Sequence, residues 1–375
     1  MGSDRVIDRD IGAAARRQFD LVIIGGGVQG VALLHEAARR GLAACLCEAD
    51  DFGGGTSWNS LRIVHGGLRY LQSFDLARFF RSVAARRHLA MQFPTLLQPL
   101  GCLMPLYGDG LRRNTVMRVA LTVNDLLSRR RSDQISDGLC LPRGRVLGAE
   151  EVMRRSSWVR REQLKGGARW SDYYMVSSER ILVELLHDAC RLGACALNYT
   201  QVTDIICDGG AVHGVEVVDR ASGARQIIVA PWVFNCAGPL VDRFARAGGG
   251  DAGRVFPPSL AFNLMLDRQL DGDDALAVSA PKAGAPVMFL IPRREGCLAG
   301  TMHAARPRDT LEARPTEAEV AAFVMQLNQA LPRLDLRLAD VRRVFAGLLP
   351  AAEPESIRLA TRDQVADHSA HGGPK

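Results

Sequence analysis

The pattern of apolar and polar positions changes period twice within the first fifty residues. Leu21 to Ile24 is an unbroken apolar run between Asp20 and a glycine triplet, the pattern of a strand covered on both faces. A stretch rich in Ala and Leu follows at helical spacing and stops at Gly41, a residue suited to closing a helix. Ala43 to Cys47 is a second apolar run, closed by Glu48. The segment therefore predicts a β-α-β unit.

Farther along, residues 170–194 (WSDYYMVSSERILVELLHDACRLGA) read as a helix capped by Ser177 or Ser178. Ile181, Leu185, Leu186, Ala189 and Leu192 form its apolar face, and Gly193 ends it. From Val202 the chain alternates, broken by Asp208-Gly209 and Ser222-Gly223, which predicts a β-meander. A buried strand, Trp232 to Cys236, then leads into Ala237-Gly238. Residues 260–302 alternate again as antiparallel strands, and Thr316 with Glu319 makes a capping box before a further helix. No internal repeat or low-complexity linker separates these parts, so two domains are expected to interleave. Residues 19–75, 170–245 and 340–375 group with the β-α-β unit; 76–169 and 246–339 form a substrate or cap region.

Between the first strand and helix stands Gly25-Gly26-Gly27-Val28-Gln29-Gly30, which fits GxGxxG, with Glu48 18 residues beyond Gly30. Strand, helix and terminal acid all fall where dinucleotide binding needs them. Gly25 permits a tight turn, Gly27 lets a pyrophosphate approach the backbone, and Gly30 allows close packing of helix on strand. The helix N-terminus offers N–H groups and partial positive charge to phosphate. Glu48 is placed to accept hydrogen bonds from an adenosine ribose.

Composition narrows the partners. The 375 residues are 47% apolar and carry a net charge of +6, almost all of it from arginine, since the lysines are only Lys165, Lys282 and Lys375. That excess favours anionic partners; no nucleic-acid motif accompanies it, so nucleic acid is set aside. Nine cysteines, none in a CxxC pair, point to reduced thiols in the cytoplasm and to no metal site. The N-terminus lacks an apolar signal core, and no run reaches the roughly 18 residues of a membrane span. A peripheral contact remains open, because Arg112, Arg113, Arg118, Arg129, Arg130 and Arg131 surround a helical pattern of Val116, Ala120, Val123 and Leu127.

Residues 56–72, TSWNSLRIVHGGLRYLQ, follow the acid after seven residues. Taken with DLVIIGGGVQG, FPTLLQPLGCLMPLY, NYTQV, FNCAGPLVD, FLIPRREGCLAGT and LATRD, this segment resembles the FAD-dependent glycerol-3-phosphate dehydrogenases. Those belong to the flavoprotein family that also holds D-amino-acid and sarcosine oxidases. The likeness runs from Phe19 to about Asp363, and HGGLRYL is its most discriminating part. It implies an α/β fold: a Rossmann-like FAD-binding domain interleaved with an α+β, antiparallel-sheet substrate domain. It also implies roles. Thr56, Ser57 and Ser60 would bond phosphate or the ribityl chain, with Arg62 adding charge. Gly66 and Gly67 would let backbone lie beside the flavin, and His65, Arg69 and Tyr70 would face the substrate. Val202 would meet adenine through its backbone, and Ala237-Gly238 would pack near the cofactor. His65 is the candidate base and Arg69 the holder of an anionic group. Electrons would pass to a quinone or to oxygen, with the protein in the cytoplasm or peripheral on the inner face of the membrane.

Three departures qualify the resemblance. Leu349 stands where the family's Ser-Gly-x-Arg-Pro string has its arginine, a loss of about 1.5–3 kcal/mol for one charge-assisted contact. Gly300-Thr301-Met302-His303 replaces Gly-Thr-Thr-Asp. The chain also stops before the last strand–glycine–helix element, so weakened flavin binding is expected. Arg306, Arg308 or Arg362 is a candidate substitute for the arginine. Besides the leading expectation, two alternatives follow: a related FAD enzyme for another hydroxy acid, polyol phosphate or amine, and a flavin-binding protein without turnover.

Overall fold

The computed structural model of the chain describes residues 7–71, 74–108, 110–244, 256–282, 284–362 and 364–371. Four parallel strands form the first sheet, in the order Trp232–Asn235, Leu21–Ile24, Ala44–Cys47, Cys195–Leu197. Both central strands are buried along their whole length. Helices Val28–Arg39 and Ser178–Arg191 cover one face, where Val31, Leu34, Leu182 and Leu186 meet Ile23 and Leu46. An antiparallel meander covers the other face (Thr200–Asp208, Ala211–Asp219, Arg225–Val229), and Val215, Val217 and Ile228 pack on Val22 and Cys45. Coverage on both sides is why these two strands read as unbroken apolar runs. All nine cysteines are free thiols.

The second body is built on a large mixed sheet. From its edge the order is Val341–Pro350, Pro258–Leu266, Gly296–Ala305, Met288–Arg293, Ala275–Val278, Leu97–Leu106, Gly166–Met175 and Ile63–Val64, with Arg145–Leu147 also pairing on Gly166–Met175. The pairings are antiparallel except that Ala275–Val278 runs parallel to Leu97–Leu106. Helix Glu317–Ala330 packs on one face through Phe323, Val324 and Leu327. It starts at the expected capping box of Thr316 and Glu319. The opposite face carries Trp170, Tyr174, Ile291, Leu298 and Phe345, and there Trp58, Leu61 and Ile63 lie against it. The segment after Glu48 thus leaves the parallel sheet and runs over the face of the large one that carries Trp170 and Tyr174.

Several placements differ from the sequence reading. The strand Trp232–Asn235, expected to be buried, is an edge strand with Trp232 and Phe234 exposed. Trp170–Met175 is strand, not the start of a helix; the helix begins at Ser178, with the Ser177 hydroxyl accepting from the Arg180 N–H at 3.2 Å. Trp170 and Tyr174 face one core while Tyr173 faces another and Asp172 is buried, so no alternation marks the strand. Val341–Pro350, grouped above with the nucleotide-binding part, is the edge strand of the large sheet through nine pairings with Pro258–Leu266. In helix Asn114–Leu127 the buried residues are Met117 and Leu121, whereas Val116, Val119, Val123 and Leu126 are exposed.

Candidate cofactor and substrate site

The glycine turn is wedged between the ends of three strands. The Gly25 N–H donates to the Cys47 carbonyl at 2.8 Å. Gly25 has φ +102, and a β-carbon there would lie 2.6 Å from the Cys236 carbonyl oxygen and 3.0 Å from the Ala237 α-carbon. Only glycine meets both conditions. Gly27 is the N-cap, and the first intrahelical bond runs from the Val31 N–H to its carbonyl at 3.0 Å. The three N–H groups before Val31 therefore have no helical acceptor. That of Val28 donates to the Ser57 hydroxyl at 2.9 Å. Glu48 fastens the turn: one carboxylate oxygen accepts from the Gly26 N–H at 2.6 Å, the other from the Asp50 N–H at 2.8 Å. Each oxygen keeps a lone pair for a hydroxyl ligand.

From this turn the segment 56–70 can be followed residue by residue. The Thr56 hydroxyl donates to the Leu348 carbonyl at 3.3 Å, tying the segment to the edge strand. Ser60 accepts from the Arg62 N–H at 3.2 Å. Arg62 has φ +60, and its guanidinium pairs with Glu179 at 2.6 Å and reaches the Val176 carbonyl at 3.3 Å. The Gly66 N–H donates to Asp172 at 2.7 Å, and Gly67 has φ +84. His65 is exposed and Tyr70 buried, with ring centroids 5.9 Å apart, edge to face. The Arg78 guanidinium lies 4.8 Å over the Tyr70 ring. The backbone of Arg69 is in the helical turn Leu68–Leu71; its side chain lies outside the described residues. Val202 is buried in the meander, next to the point where the Thr200 N–H meets the Glu48 carbonyl at 2.7 Å. Ala237 receives the Asn235 side-chain oxygen on its N–H at 3.3 Å, and Gly238 has φ +57.

Gly25, Gly27, Gly30, Glu48, Ser57 and Ala237 thus converge on one end of the parallel sheet, while His65, Gly66, Gly67 and Tyr70 lie at the far edge of the large one. Sequence reasoning missed what holds that far edge. Arg86 and Asp172 form a buried ion pair at 2.6 Å, with side chains 5% and 7% exposed. The same Asp172 oxygen takes the Gly66 N–H, and its other oxygen takes the Trp170 indole N–H at 3.0 Å. An acid inside the aromatic string Trp170-Ser171-Asp172-Tyr173-Tyr174 was the available signal. Asn263 was missed too: it donates to the Asn59 carbonyl at 2.8 Å and accepts from Thr301 at 2.9 Å.

Around the three departures, Leu349 pairs with Ser259, and Met302 packs against the core under helix Glu317–Ala330. Arg306 is held by both oxygens of Glu319, at 2.7 and 2.8 Å, while Arg362 is exposed. A cavity of about 610 Å³ opens beside Asn59, Val344 and Ala346. Among the described residues, no group of three or more His, Cys, Asp or Glu is placed to hold a metal ion.

FAD fits the residues present at the turn. A β-carbon on Gly27 would meet only the Ser57 hydroxyl, at 3.1 Å, so the helix N-terminus is open to a phosphate-sized group. Hydroxyl, free N–H groups and a strand-end carboxylate are the donor and acceptor set that a dinucleotide needs.

The chain is similar to the aerobic glycerol-3-phosphate dehydrogenase of Bacillus subtilis strain 168, at 26% identity over 96% of the chain and 63% of that protein. It is 30% identical to the alpha-glycerophosphate oxidase of Streptococcus pyogenes serotype M1 over 89% of the chain and 54% of that protein. The chain thus spans between half and two thirds of the length of these relatives. Among solved structures, the glycerol-3-phosphate dehydrogenase from Bacillus halodurans complexed with FAD superposes with a TM-score of 0.69 at 26% identity, covering 90% of this chain and 58% of that one. Glycine oxidase from Bacillus cereus ATCC 14579 shares the fold, with a TM-score of 0.60 at 18% identity over 89% of this chain and 85% of that one. Residues 20–373, from the first parallel strand onward, match the family described as DAO, FAD dependent oxidoreductase, and the chain belongs to that family.

Proposed function

We propose that the chain acts as a FAD-dependent oxidoreductase that removes a hydride from a C–H bond of a small anionic hydroxy substrate of the glycerol 3-phosphate class. The observation that carries this reading is the bond from the Val28 N–H to the Ser57 hydroxyl. It joins the dinucleotide turn to the segment that runs on to His65, placing both on one continuous path. FAD bound along that path supplies the hydride acceptor. Thr56, Ser57 and Ser60 would hold its phosphate end, Glu48 would take the ribose, and Val202 would meet the adenine. Gly66 and Gly67, both buried, and the half-buried Gly238 would bring backbone close to the ring.

His65 takes the proton from the substrate hydroxyl on an imidazole nitrogen. Its place is fixed by Asp172, which holds the next residue by its N–H, and by the Tyr70 ring. Arg69 would add positive charge for the anionic group. Electrons leave to a quinone or to oxygen. The observation that favours a different substrate is Leu349 at an uncharged edge-strand position, which admits another hydroxy acid, polyol phosphate or amine.

A membrane surface belongs to the same proposal. No helix among the described residues is long and apolar enough to cross a bilayer. Helix Asn114–Leu127 nevertheless turns Val116, Val119, Val123 and Leu126 outward, with Arg113, Arg118, Arg129 and Arg130 exposed around them. That face suits the anionic inner surface of the cytoplasmic membrane, where a quinone is at hand.

The test is the visible spectrum before and after anaerobic glycerol 3-phosphate. Bleaching of bound flavin is expected. Flavin that stays oxidised moves the substrate to the alternatives, and an unbleached, substrate-indifferent flavin across hydroxy acids and amines makes the chain a flavin-binding protein without turnover.

A further inference from the structure

Several of the partly or fully buried arginines in the large-sheet body have an acid of their own. Arg86 has Asp172, Arg169 and Arg155 share Asp274, and Arg306 has Glu319. Arg293 does not follow this rule. It ends the strand Met288–Arg293 on the face that carries Phe289 and Ile291, the side over which Trp58 to Ile63 run. Its guanidinium donates to the Tyr174 hydroxyl and lies 4.9 Å over the Tyr174 ring, and among the described residues it forms no ion pair. Instead another cation is near. Burial and the charge of Arg62 hold the Arg293 guanidinium below the ordinary arginine value, and Glu295 offsets this only in part. Arg62 has already given one side of its guanidinium to Glu179.

Two guanidinium groups near one half-buried face repel each other, and burial strips hydration from Arg293. The arrangement becomes favourable when an oxyanion enters. The niche has the right neighbours. Trp170 and Phe289 stack edge to face at 6.4 Å as its apolar floor, and Tyr174 supplies a hydroxyl. Ile63 and Val64 pair with Tyr174 and Tyr173, so the strand that borders the niche continues directly into His65.

We propose that Arg293, with Arg62 and the Tyr174 hydroxyl, forms the subsite that holds the phosphate of the substrate, in place of the arginine whose position Leu349 occupies. This assignment rests on the function proposed above. It gives Arg293 a specificity role: an uncharged polyol of the same size is turned away because it leaves the Arg293 guanidinium without a counter-charge.

The experiment compares wild type, Arg293→Met, Arg293→Lys and Tyr174→Phe. Flavin content and thermal midpoint are read first, then calorimetric titrations with inorganic phosphate and with glycerol 3-phosphate. Arg293→Met is expected to keep its flavin and to bind both anions about 10- to 100-fold more weakly, the size of one lost charge-assisted contact. Its KM for glycerol 3-phosphate rises accordingly while kcat changes little. Arg293→Lys recovers part of the affinity, and Tyr174→Phe loses a smaller part. Should Arg293→Met fail to fold, the lysine and phenylalanine variants carry the comparison. Unchanged anion affinity in folded variants, or a wild type that binds neither anion, overturns the subsite. A carboxylate such as lactate that binds more tightly than phosphate, with the same loss in Arg293→Met, overturns the phosphate assignment. A wild type that binds phosphate through Arg293 but never bleaches with glycerol 3-phosphate overturns the proposed reaction and leaves the anion subsite standing.

Discussion

A β-carbon on Gly30 would stand 1.9 Å from the carbonyl oxygen of Gly25, so the helix and the turn before it touch backbone to backbone. Neither side can yield, because Gly25 is itself fixed against Cys236 and Ala237. Gly30→Ala is therefore expected to cost about 1–3 kcal/mol through overpacking and to lower flavin retention. Gly41→Ala is the contrast: φ there is +78, but nothing lies within 4 Å of its β-carbon position. It should cost about 1–2 kcal/mol for the left-handed backbone alone and leave flavin content untouched. Urea unfolding with flavin absorbance separates the two.

The Arg86–Asp172 pair makes a second prediction. Arg86→Met leaves Asp172 buried without a counter-charge, which typically costs about 3–5 kcal/mol. The double variant Arg86→Met with Asp172→Asn should cost less than the sum of the two single changes, since both partners are then neutral. Denaturant midpoints of the four proteins check this; strict additivity would mean that the two side chains act independently.

Acid should loosen the N-terminal tether before the core. The Ala221 N–H at 2.9 Å, the Ser222 hydroxyl at 2.7 Å and Arg9 together hold the Asp219 carboxyl at about 2. In the unfolded chain an aspartate titrates near 4. The folded value is the lower one, so the contribution is complete above about 4 and fades as the pH falls toward about 2. Urea midpoints taken across that window should fall more steeply for wild type than for Asp219→Asn.

Val119 and Leu126, 64% and 65% exposed, are the outermost apolar side chains of the helix Asn114–Leu127. Replacing both by aspartate should abolish sedimentation with anionic liposomes at low salt while leaving the thermal midpoint within a degree or two, because neither packs inside. Equal sedimentation of wild type and variant would remove the helix from the membrane contact.

The local structure of the chain was legible where neighbours in sequence are neighbours in space. Gly25 to Gly30, Glu48, the Ser177 cap and the Thr316–Glu319 box each act within a few residues or within one β-α-β unit. The helix Asn114–Leu127 was half legible: its basic surround was clear, but its inward face is Met117 and Leu121, so the exposed stripe is Val116, Val119, Val123 and Leu126. Trp170–Met175 was misjudged because both its faces are covered, which erases the period of two. Arg86 and Asp172, 86 positions apart, meet only because Gly166–Met175 pairs with Ile63–Val64 under the helix Leu76–Gln92. Arg293 and Tyr174 are 119 apart. No spacing rule reaches that far.

The Arg86 guanidinium also fills the space that a side chain on Gly66 would need: a β-carbon there would fall 2.2 Å from it. Glycine and ion pair are consequently sterically interdependent. A larger residue at 66 becomes admissible only in a lineage that has first given up the arginine, and giving up the arginine strands the aspartate. Each single step passes through a damaged intermediate, so this corner of the site resists gradual change, whereas at Leu349, on the edge strand of the same sheet, no such interlock with an ion pair is present among the described residues.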